Sequence, residues 1–147
     1  MFEKLSQIVK ESKQAFLTSE IKEGTIDAAI NEATGVIVDV LKSKLDNGKV
    51  GELMSFFKGK DAVYQDLTNM MVNKYANRLN KYFNLNINDA KTLSEQVIPA
   101  AMNKFVLETV GNKKENTGVF AFLNWLSGNT INFENLFLRL NPVKLAS

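Results

Sequence analysis

The chain has 147 residues, enough for one domain with a core of its own. With 45% hydrophobic and 23% charged residues it has ordinary globular composition, and a net charge of +2 is too small to point to a polyanion partner. It contains neither cysteine nor histidine, which excludes disulfides, thiolate zinc sites, cysteine nucleophiles, histidine-based triads and HExxH metal sites. Carboxylate, Lys, Tyr, Ser and Thr chemistry remains, and the loss of the commonest general base weighs against an enzyme.

The start, MFEKLSQIVKESKQAFL, carries charges throughout and lacks the apolar run of a leader. The most apolar short run, VFAFLNWL at 119–126, is too short to span a bilayer. The expectation is a cytoplasmic protein without a transmembrane segment.

Helical spacing dominates. Phe2, Leu5, Ile8, Val9, Ser12 and Phe16 trace one face of a first helix. Ile26, Ala29, Ile30, Ala33, Ile37, Val40, Leu41 and Leu45 trace the second. Thr25 is its expected cap, Asp27 suits its first turn, and Lys42 and Lys44 suit its last. Asn47-Gly48 is its expected end. Gly35, inside this helix, costs about 1 kcal/mol relative to Ala, and a close helix crossing is the expected compensation.

A third helix covers 50–57 and stops near Gly59. The fourth runs from about Asp61 to Phe83, with Val63, Leu67, Met70, Met71, Tyr75, Leu79 and Tyr82 expected inward. The fifth begins within NLNINDAKTLSE, residues 84–95, and carries Leu93, Val97, Ala100, Ala101, Phe105 and Leu107. Pro99 lies inside it and predicts a kink or a restart. The polar loop GNKKENTG at 111–118 leads to a sixth helix at about 118–127, closed by Ser127-Gly128. Asn132 then caps a last amphipathic helix with Glu134 in its first turn and Phe133, Leu136, Phe137 and Leu140 inward. Asn141-Pro142 ends it, and 142–147 is expected to fray. The predicted architecture is a single all-α domain over 1–147, a compact bundle of six or seven helices.

The segment VNKYANRLNKYFNLNINDAKTLSEQVIPAAMNKF, residues 72–105, resembles the YidB-like bacterial proteins of unknown function. Leu79, Phe83 and Leu85 match the end of one family helix, Asn88 and Ala90 the polar start of the next, and Val97-Ile98-Pro99 its break. Residues 36–59 and the opening MFEKL also have counterparts. The sequence departs from the pattern at Asn84, where the family places glycine. The resemblance implies an all-α fold and a bacterial source. It brings no activity, catalytic residue or ligand.

Four groups of residues invite a functional reading. Asn84, Asn86, Asn88 and Glu95 fall at the first, third, fifth and twelfth places of a calcium loop. Three of those ligands are neutral, Asp89 replaces the turn glycine, and Lys91 brings a cation. A helix start, with Asn88 as cap and Asp89 in the first turn, explains the same letters better. Lys74, Arg78 and Lys81 make a basic stripe with Tyr75 and Tyr82 beside it, a possible surface for nucleic acid or another anion. Phe120, Phe122, Leu123, Trp125 and Leu126 nearly surround a short helix. Such a helix is either core or a partner surface, with Phe120, Phe122 and Trp125 as its anchors. The carboxylate pairs Asp61 with Asp66 and Glu20 with Glu23 show no catalytic spacing.

The reading favoured by the sequence is a non-enzymatic module for protein interaction or self-association, with a homo-oligomer or another protein as partner. The alternatives are a weak nucleic-acid or anionic-surface binder using Lys74, Arg78 and Lys81, and a small-molecule-binding helical domain. No pattern calls for a cofactor, a metal or a catalytic residue.

Overall fold

The computed structural model describes residues 1–59, 62–111 and 117–129. In chain order the elements are α1 (Phe2–Lys10), α2 (Lys13–Thr18), a 3-10 turn (Glu23–Thr25), α3 (Ile26–Asp46), α4 (Val50–Lys58), α5 (Ala62–Tyr82), α6 (Ile87–Val110) and α7 (Thr117–Leu126). Among the described residues there is no strand, and the seven helices form the expected all-α bundle. The helix expected from Asn132, the tail 142–147 and the interior of the 111–118 loop lie outside the described residues.

α6 is the central element and packs against α1, α2, α4, α5 and α7. Neighbours on several sides explain why its buried stripe is wider than one helical face. Leu93, Val97, Ala101 and Phe105 point inward as expected, and Ala90, Ile98, Met102 and Val106 join them. Ala100 and Leu107, expected inward, face solvent, Leu107 with 69% of its surface exposed. The helix does not restart at Pro99, which lies inside one continuous run. Pro99 and Glu95 are both exposed, so water can take up the carbonyl that proline leaves without a helical donor.

α5 lies between α3 and α6. It buries Tyr64, Leu67, Thr68, Met71, Val72, Tyr75, Ala76 and Leu79. Met70 and Tyr82, placed inward by spacing alone, are 48% and 62% exposed. Two buried side-chain hydroxyls tie α5 to its neighbours. Tyr75 donates to the Ala29 carbonyl of α3 at 2.7 Å, and Ser94 of α6 donates to the Val72 carbonyl at 2.7 Å. Each satisfies a polar group that would otherwise be costly in the core.

Several local expectations need correction. The first helix is two, because the chain tightens at Glu11 and Ser12, whose amides bond the carbonyls of Ile8 and Val9. Thr25 does precede α3, but its hydroxyl turns back to the Lys22 carbonyl at 2.7 Å and caps nothing. Gly35 marks no close crossing: among the described residues, nothing lies within 4 Å of where its Cβ would stand. The end of α3 is as expected. Gly48 takes φ 72°, its amide bonds the Leu45 carbonyl at 3.0 Å, and the Lys49 amide bonds the Lys44 carbonyl at 2.9 Å. This is a Schellman turn, which needs the left-handed conformation that glycine adopts without a steric penalty. The same pair of bonds closes α7 at Gly128 and Asn129.

Candidate functional site

The start of α7 rests directly on the end of α6. Gly118 approaches the Thr109 carbonyl so closely that a side chain there would collide with it. This contact aims Val119, Phe122, Leu123 and Leu126 into the core, where all four are buried. Phe122 meets Phe105 and Phe57 edge-on, with ring centroids 5.1 and 5.6 Å away, and Phe57 meets Phe105 at 5.7 Å. Phe56 extends the cluster from Phe57 to a stacked Tyr64. Such pairs each contribute about 0.5–1.5 kcal/mol beyond area burial. Phe122 therefore belongs to the core, and its expected place on a partner surface is corrected.

Trp125 and Phe120 differ from Phe122. Both are partly buried against the core, and the Trp125 ring lies 5.9 Å from that of Phe122. Trp125 also borders a shallow opening of about 330 Å³ lined by Val38 and Lys42 of α3 together with Leu126, Ser127 and Gly128. Trp125, one of the three expected anchors, thus stands at the mouth of a groove.

The basic stripe of α5 faces the acidic side of α3. Arg78 Nη1 donates to Glu32 Oε1 at 2.6 Å, and Nη2 lies 3.6 Å from Asp39 Oδ2. Lys74 Nζ is 4.0 Å from the same Asp39 oxygen. The bond to Glu32, aided by the charges of Glu32 and Asp39, raises the Arg78 pKa further above its already high ordinary value. All four side chains are about a third to a half exposed, so each pair contributes no more than about 1 kcal/mol. Lys81 stands 5.5 Å over the Tyr82 ring and outside this network. The stripe is a neutralised seam between two helices, and two of the three cations proposed for an anion surface already have carboxylate partners. Glu32 and Asp39 stand seven residues apart on α3 and so share one face, but nothing in that spacing names α5 as the helix they meet.

The stretch 84–95 closes as a helix start. Asn86, and not Asn88, is the cap: its Oδ1 accepts the Asp89 amide at 2.8 Å, and its Nδ2 donates to Asp89 Oδ2 at 2.9 Å. Asn84 takes φ 58°, the left-handed conformation for which asparagine is the usual substitute for glycine. Asn80 Nδ2 binds the Leu85 carbonyl across this turn at 2.8 Å. Asn84 thus shapes the turn between α5 and α6, and Asn86 with Asp89 closes the start of α6.

Two of the other openings have walls of mixed polar and apolar character. One of about 550 Å³ lies between α3 and α5, bordered by Asp39, Ser43, Asn47, Met70, Asn73 and Asn77 among others. A smaller one of about 180 Å³ lies between α2 and α6 and includes Glu20, Asp89 and Gln96. Asp61 lies outside the described residues. Among the described residues, no helix is long and apolar enough to cross a membrane.

Comparison with family models, curated proteins and solved structures finds no match.

Proposed function

We propose that this chain is a non-enzymatic helical module that associates with other protein surfaces, in the first instance with a second copy of itself, through the Trp125 side of α7. The observation that supports this reading is the position of Trp125. It is anchored on Phe122 at one edge and borders the groove with Val38 and Leu126 at the other. Tryptophan is among the side chains most enriched at interface hot spots. A net charge of +2 sets little repulsion between copies. The pairing of Lys74 and Arg78 with α3 carboxylates favours this reading over an anion binder. The proposal keeps the chain among YidB-like, bacterial, cytoplasmic proteins, as its sequence suggests.

Trp125 is the only tryptophan, so its fluorescence reports on this surface directly. Emission recorded over a wide range of protein concentration should shift to shorter wavelength as copies associate, and access of a neutral quencher should fall in parallel. Emission and quenching independent of concentration would count against self-association through this surface.

A further inference from the structure

We infer that Asn47 is a site of spontaneous deamidation that the α3–α4 turn holds shut while the chain is folded. Asn47-Gly48 is the sole Asn-Gly pair in the sequence. Glycine in the following position matters because it has no Cβ to obstruct approach by its own amide nitrogen. Asn47 is exposed, so water and base reach it.

In the reaction the Gly48 amide gives up its proton to solvent base, and its nitrogen attacks Cγ of Asn47. The new N–C bond closes a five-membered imide ring. The Cγ–Nδ2 bond breaks, and the nitrogen leaves with a proton as ammonia. Water then opens the ring at either carbonyl and yields aspartate or isoaspartate. No oxidant, reductant or other partner is needed.

The native turn opposes this in two ways. Asn47 has ψ 10°, which turns the Gly48 nitrogen away from the Asn47 side chain. The Gly48 amide also donates to the Leu45 carbonyl at 3.0 Å, with the Asn47 and Lys49 amides held by Ser43 and Lys44 on either side. Ring closure must break the Gly48 bond and rotate ψ, which amounts to undoing the turn. Helix ends open locally more readily than helix interiors, so opening of this end sets the rate.

Either product disfavours closing the turn again. Aspartate adds a carboxylate beside Asp46 at the C-terminus of α3, where negative charge opposes the helix dipole. Isoaspartate lengthens the main chain by one atom inside the segment spanned by the Lys49–Lys44 bond. Opening promotes modification, and modification promotes opening. The site thus records how often the α3–α4 joint has come apart.

The test uses the full chain, held in mildly alkaline buffer with and without guanidinium chloride and followed by peptide mapping that separates Asn, Asp and isoAsp at position 47. In denaturant Asn47 should react ahead of every other asparagine, and Gly48→Ala should abolish that lead. In native buffer its rate should fall by about 10- to 100-fold, which corresponds to a local opening free energy of about 1.4–2.8 kcal/mol. Equal rates in the two buffers would overturn the gating by the turn. A different asparagine reacting first in denaturant would overturn the assignment of the site.

Discussion

Gly118 lies so close to Thr109 that a β-carbon added to it would stand 2.0 Å from the Thr109 carbonyl oxygen. The obstacle is backbone, so no rotamer change relieves it. Gly118→Ala must lift the start of α7 off α6, and with it the seat of Phe122 against Phe57 and Phe105. The expected cost is about 1–3 kcal/mol. A urea melt followed at Trp125 measures it and should also show a changed native emission. An unchanged midpoint would mean that the two helices meet differently.

The cap of α6 offers a sharp comparison between neighbours. Asn86 accepts the Asp89 amide through its side chain, while Asn88 is engaged through its carbonyl, which accepts from the Thr92 hydroxyl. Asn86→Ala should cost about 1 kcal/mol. Asn88→Ala should change stability by less than about 0.5 kcal/mol. Chemical denaturation of both variants ranks them, and the opposite order would restore Asn88 as the cap.

Tyr75 gives the fold a limit at high pH. Burial, with a smaller contribution from the Glu32 charge, raises its pKa far above the ordinary 10.0. Above pH 10 the unfolded chain releases this proton while the folded chain keeps it, so stability is full below that pH and falls as pH rises further. Tyr75→Phe removes this alkaline loss and costs about 1 kcal/mol at neutral pH, because the bond to the Ala29 carbonyl goes with it. Thermal melts of both proteins across alkaline pH should therefore converge. Parallel curves would show that Tyr75 does not carry the effect.

Much of this architecture was legible in the spacing of apolar residues. The four central inward positions of α6 and the glycine end of α3 follow from local rules alone. The misplaced residues share one cause, which is that tertiary neighbours decide burial. Leu107 has the right letter but lies on a side of α6 that no described helix covers, whereas Ile98 and Met102 are buried because α6 has neighbours on several sides. The break between α1 and α2 carries no glycine or proline to announce it. The partners of Arg78 and Lys74 lie on another helix, and only the folded arrangement selects them.

Gly35 shows the same limit and yields a prediction. Sequence logic called for a close crossing to justify glycine in the middle of α3, but the space beside it is open among the described residues. Gly35→Ala should raise stability by about 0.5–1 kcal/mol, seen as a higher denaturant midpoint with an unchanged slope. A loss of stability would reveal a neighbour at this position.

Association through Trp125 is most directly tested by light scattering of the wild-type chain and Trp125→Ala over a range of concentration. The wild-type mass should rise above that of one chain as concentration increases, while Trp125→Ala stays at one chain with its helical content retained. A wild-type chain that remains a monomer throughout, or a Trp125→Ala variant that associates equally well, would contradict it.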